Sequence, residues 1–116
     1  MNNQLTLDEF AEALLNAEPI EVTRTLTYSF DDNANDRYDI EQTPIFTVNN
    51  VRSVVRTIKF IERLSGPLLD PAEDGERFII KRSVSDYTAK IQEFLEEVPT
   101  DVLVAWLNEV GPEVSY

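Results

Sequence analysis

Two sets of charged side chains are spaced closely enough to act together. Arg52, Arg56, Lys59 and Arg63 recur at intervals of four, three and four residues, which on a helix places them along one face. With Glu62 among them, residues 51–64 carry a net charge of +3, and the rest of the chain carries −15. Such a stripe can dock an acidic partner or a phosphate. It can equally neutralise the chain's own acidic helices, and because surface ion pairs are common and individually weak, that is the expected role. The second set is Glu93, Glu96, Glu97, Asp101 and Glu109, in a stretch (residues 85–116) whose one basic residue is Lys90. Displayed together, these carboxylates can stand in for phosphates and occupy the site of a nucleic-acid-binding enzyme. The competing reading is solubility and helix polarity, since Asp8, Glu9, Asp86 and Asp101 fall where a helix N-terminus favours anions.

Other chemistry is narrowed by what the chain lacks. There is no Cys and no His, which excludes disulfides, thiolate catalysis, Cys–His zinc sites and any triad with an imidazole base. Asp31, Asn33 and Asn35 match the first ligand positions of a calcium loop, but Asp36 stands where glycine is needed and Gln42 where a bidentate Glu is needed. A hairpin turn is therefore expected there, and calcium should leave melting unchanged. Paired carboxylates can run hydrolysis, yet none has the apolar and aromatic neighbours that would raise its pKa, and the 3 glycines form no phosphate loop. The chain is expected to be no enzyme, with no cofactor and no metal. A net charge of −12 argues against direct nucleic-acid binding.

The elements that must position these residues follow from periodicity. Thr6-Leu-Asp-Glu9 forms a capping box ahead of Leu7, Phe10, Ala11, Leu14 and Leu15, and this helix ends before Pro19. From Ile20 the period becomes two: Ile20, Val22, Leu26, Tyr28 and Phe30 alternate with polar residues, and Tyr38 and Ile40 resume the pattern after Asp31–Asp36. Arg24 interrupts the apolar positions, which implies a sheet edge or a register shift. Ile45–Val48 is expected as a third strand. Asn50 caps a central helix in which Val51, Val54, Val55, Ile58, Ile61 and Leu64 form a wide apolar arc, stopped at Gly66-Pro67. Phe78–Ile80 marks a short strand. Ser83 or Ser85 caps a third helix with Val84, Tyr87, Ile91, Phe94, Leu95 and Val98 on its core face. Pro99-Thr100-Asp101 breaks and recaps the chain into a fourth, where Leu103, Trp106 and Val110 with Tyr116 form either core or a partner-facing surface.

The fold class is thus α+β within a single domain spanning 1–116: an N-terminal helix, a β-hairpin or three-stranded antiparallel meander, a central helix and a C-terminal helical pair. The longest unbroken apolar run, Val102–Leu107, is too short to span a bilayer, and Met1-Asn2-Asn3-Gln4 lacks the basic start of a secretory signal, so a cytoplasmic location is expected.

Leu5–Phe10 ("LTLDEF"), Ile20–Tyr28 ("IEVTRTLTY") and Lys90–Pro99 ("KIQEFLEEVP") resemble segments of phage tail and baseplate assembly chaperones. The resemblance covers residues 1–30 and 87–116. It implies a non-enzymatic acidic binder that shields an assembly surface of another phage protein in the host cytoplasm. The same features also resemble small phage inhibitors of host defence, including anti-CRISPR proteins and DNA mimics. The expected partner is therefore another protein, bound through apolar surface in the chaperone reading and through a basic surface in the inhibitor reading, and a homodimer is also permitted.

Overall fold

The structure, a computed structural model, describes residues 3–31 and 37–116. It is an α+β fold in which four helices flank antiparallel strands. Strand β1 (Asn3–Thr6) runs directly into helix α1 (Leu7–Ala17). Thr6 caps that helix: its hydroxyl accepts from the Glu9 amide at 3.2 Å and donates to the Glu9 carboxylate at 3.0 Å. Glu9 reaches the hydroxyl, and not the Thr6 amide of a full capping box, in a residue that already pairs with Arg77 in the sheet. The helix ends at Glu18, whose amide closes on the Leu14 carbonyl just before Pro19.

Strands β2 (Ile20–Thr23), β3 (Leu26–Asp31), β4 (Arg37–Gln42) and β5 (Ile45–Val48) form one long hairpin. A single register runs from Ile20↔Val48 at its base to Asp31↔Arg37 at its far end. It is interrupted at one level, where Arg24-Thr25 faces Thr43-Pro44, because Pro44 has no amide to give the ladder. Across that interruption the Arg24 amide donates to the Pro44 carbonyl at 3.4 Å and the Thr25 and Thr43 hydroxyls bond at 3.0 Å. Ile45–Val48 is therefore the second arm of the hairpin. The third strand of its sheet comes from the far end of the chain, β8 (Glu113–Ser115), in the order β2-β5-β8. A second small sheet, order β1-β7-β6, joins β1 to β7 (Arg77–Ile80) and β6 (Asp70–Pro71). Among the described residues, the outer ladder β3–β4 pairs only with itself. The molecule measures 63 × 24 × 20 Å, and its radius of gyration of 16.9 Å exceeds the roughly 13 Å of a compact chain this long.

The core lies between the hairpin base and the helices. Ile20, Val22, Phe46 and Val48 point inward against Phe10 and Leu14 of α1 and against α2 (Val51–Ser65), α3 (Val84–Glu97) and α4 (Thr100–Val110). Trp106 is fully buried, so the last helix spends its aromatic on the core. Its indole N–H donates to the Thr57 hydroxyl at 3.1 Å, and that hydroxyl donates to the Ser53 carbonyl at 2.8 Å, which satisfies both polar groups in an apolar setting. Phe46 meets the indole edge to face at 6.1 Å. Ser83 caps α3 through the Asp86 amide. Helix α4 follows Pro99 without a side-chain cap, in place of the recapping expected of Thr100 and Asp101. Leu64, counted by its spacing in the apolar arc of α2, is exposed at the end of that helix.

Candidate functional site

Helix α2 is amphipathic in the strict sense. Asn50 starts it, accepting from the Ser53 amide at 2.8 Å, and Gly66 ends it at φ 93°, where a side chain would be strained. Val54, Thr57, Ile58, Phe60 and Ile61 are buried, while Arg52, Arg56, Lys59 and Arg63 are all exposed along the opposite crest. The stripe expected from spacing alone is thus assembled by a single uninterrupted helix.

The crest lies between two other helices. On one side, Asp8 and Glu12 of α1 face Arg52, Arg56 and Lys59 across an open groove of about 500 Å³, with the half-buried Val51 and Val55 also lining it. On the other side, Arg56, Lys59 and Arg63 border a second depression, of about 450 Å³, that α4 closes with Glu109. Arg63 pairs with Glu109 there, and its guanidinium lies 5.5 Å from the centre of the Phe60 ring. The neutralising role therefore applies to Arg63. Among the described residues, no carboxylate comes within ion-pairing distance of Arg52, Arg56 or Lys59.

The acidic set is divided. Glu93 and Glu97 border a groove of about 300 Å³ beside Lys90, over Ile61, Leu68 and Phe94. Glu96 lies about 100° around the helix from Glu97. Asp101 is exposed in the first turn of α4, and Glu109 is tied to Arg63 on α2. Glu93, Glu96 and Glu97 thus share one side of α3, whereas Asp101 and Glu109 belong to a separate helix. Pro99 breaks the helix between Glu97 and Asp101, so spacing does not carry across.

Residues 32–36 of the turn weighed as a calcium loop lie outside the described residues; its flanks, β3 and β4, are strands and not the helices of an EF-hand. The acidic loop 70–76 is used structurally: Asp70 pairs with Lys81 at 3.0 Å, and Asp74 accepts from the Arg77 amide at 3.2 Å. No cluster of three or more potential metal ligands occurs among the described residues.

Two arrangements escaped the sequence reading. Asp8 and Glu12 line the α1 side of the groove, and their i, i+4 spacing was the available signal. Arg24 is the other: its guanidinium donates to the Leu95 carbonyl at 3.3 Å, in the last turn of α3, from the level where the hairpin is interrupted. No local pattern announces a contact between residues so far apart in the chain. Among the described residues, no helix is long and apolar enough to cross a membrane. Set beside known protein families, curated proteins and solved structures, the chain matches none.

Proposed function

We propose that this chain is a non-enzymatic protein-binding module that shields an assembly surface of its partner, in the manner of a phage tail or baseplate assembly chaperone. One observation carries the reading. In a chain of net charge −12, three exposed cations, Arg52, Arg56 and Lys59, stand on one helix clear of ion pairs among the described residues, beside a groove lined by two valines. Charge concentrated beside apolar surface suits recognition of a protein segment, where the apolar part supplies affinity and the charges supply register. The segment contacting this crest carries carboxylates, whatever the charge of the partner's remaining surface.

The competing role is an acidic inhibitor that displaces nucleic acid from a host defence complex. It needs a contiguous carboxylate array; Glu93, Glu96 and Glu97 are neighbours on α3, but Asp101 lies across the break at Pro99 and Glu109 is tied to Arg63. Affinity capture from the organism that encodes the chain separates the two roles. Arg56→Glu with Lys59→Glu is expected to abolish capture of the partner, while Glu93→Lys, Glu96→Lys and Glu97→Lys together leave it intact. The opposite pattern, with capture weakening steeply with salt and excluding nucleic acid, establishes the inhibitor.

A further inference from the structure

The groove between α1 and α2 has two unlike sides. Asp8 and Glu12 make the α1 side negative, Arg52, Arg56 and Lys59 make the α2 side positive, and Val51 and Val55 supply apolar surface. Resting on the protein-binding role above, we propose that this groove takes one amphipathic helix of the partner. Its apolar edge lies on the valines, its carboxylates face α2, and its Lys or Arg residues face α1.

Charge complementarity selects this occupant. A nucleic-acid strand, or a segment acidic on both flanks, satisfies the α2 side but sets negative charge against Asp8 and Glu12. A segment basic on both flanks satisfies α1 and is repelled by α2. A helix with its charges segregated meets both sides favourably. The backbone argument points the same way. Beyond their first turns both sides are helices whose peptide groups are bonded internally, so an extended segment would find no continuous ladder here, whereas a helix brings its own hydrogen bonds. Arg52 to Lys59 spans about 10 Å along α2, matching two turns of such a helix. Turning the helix end for end exchanges its flanks, so the side on which the helix carries its carboxylates fixes the one chain direction in which it docks.

The test uses the full chain and two synthetic peptides of about eighteen residues, long enough for an alanine-rich helix to form. Both have the same composition and a leucine stripe. In one, glutamates occupy one flank and lysines the other; in the second, the charges alternate on both flanks. Calorimetry is expected to show the segregated peptide binding at least about tenfold more tightly, and Arg56→Glu/Lys59→Glu removing that preference. Adding Asp8→Lys and Glu12→Lys to that variant reverses the net charge of each side even with Arg52 kept, so binding of the segregated peptide should return; this recovery also guards against simple misfolding. Equal affinity for the two peptides, no binding of either, or no recovery in the fourfold variant overturns the inference. A duplex oligonucleotide that binds the wild type and is lost in Arg56→Glu/Lys59→Glu overturns it in favour of nucleic acid. If the peptides fail while partner capture still depends on Arg56 and Lys59, only the helical occupant is wrong; if capture ignores both residues, the protein-binding role of the crest falls as well.

Discussion

The cationic crest of α2 and the acidic residues of α3 and α4 look alike as sequence and differ as structure. Both contain charged residues at three- and four-residue intervals, 52–56–59–63 in the crest and 93–96 and 97–101 in the acidic set. The crest sits on one helix, where every interval adds a fixed rotation, so Arg52 and Arg63 remain on the same side after three turns. The acidic set straddles Pro99, and the rotation is reset there. Helical spacing thus predicts a surface only within a helix. The two regions also differ in what they do to their own elements. Arg63 falls in the last turn of α2, where the macrodipole favours a cation. Glu96 and Glu97 fall in the last turn of α3, where it disfavours anions, and no basic residue of that turn offsets them. The compensating charge arrives from the hairpin, as the Arg24 guanidinium on Leu95.

The largest expected effect bears on the packing that holds both regions in place. Trp106 ties α4 to α2 through Thr57 and sits at zero exposure. Trp106→Ala should lower unfolding free energy by about 3–5 kcal/mol, as truncation of a fully buried aromatic does. Urea titration followed by circular dichroism checks it. A loss under about 1 kcal/mol would mean that the last helix adds little to the core and that Glu109 has no fixed place beside the crest.

Arg24 is next in size and marks where the sequence stopped being legible. Helices and hairpin follow from capping residues and from period, because each is specified locally: Thr6, Asn50 and Ser83 all cap as expected. The short strands β1, β6 and β8 do not, since two to four residues establish no period and their partners lie far along the chain, as in Asn3↔Ile80 and Phe46↔Val114. Arg24 belongs with them. Its interruption of an apolar alternation is visible, but its acceptor, 71 residues away, is not. The crest was legible for the same reason as α2 itself; the α1 side of the groove was not, because pairing of α1 with α2 is a tertiary fact. Arg24→Met keeps the apolar stem and removes the donor. It should cost about 1–2 kcal/mol, the range for a charge-assisted bond to a part-buried carbonyl, read as a lower midpoint in the same titration. An unchanged midpoint would show that water serves the Leu95 carbonyl equally well.

The acidic end of α3 offers a prediction of opposite sign. Glu96→Lys with Glu97→Lys places cations at the negative end of the helix and should raise stability by about 0.5–1 kcal/mol, less at high salt. Thermal melts at two ionic strengths check both parts. Destabilisation would mean that these carboxylates serve the fold in a way the dipole does not capture.

The smallest expected effect, that of reversing Arg56 and Lys59, is the most discriminating when set against reversal of Arg63, because the pair of variants divides the crest against itself. Arg63 has a fixed partner and a ring beneath it; Arg56 and Lys59 have neither among the described residues. Arg63→Glu exchanges the Glu109 pair for a repulsion and loses the contact with Phe60. An exposed pair and an exposed cation–π contact together amount to about 1 kcal/mol. Arg56→Glu/Lys59→Glu reverses twice as much charge but breaks no ion pair. Its cost is the exchange of a screened attraction for a screened repulsion toward Asp8, Glu12 and Glu109, none of them in contact, a few tenths of a kcal/mol at physiological salt, where the screening length is about 8 Å. The single change should therefore lower the melting midpoint more than the double change does. If the order is reversed, Asp8 and Glu12 are held tightly by Arg56 and Lys59 in solution, the groove is closed by its own charges, and the crest serves the fold. If the order holds, two cations are kept in place without stabilising anything in their own chain, which leaves recognition of another chain as the reason for their position.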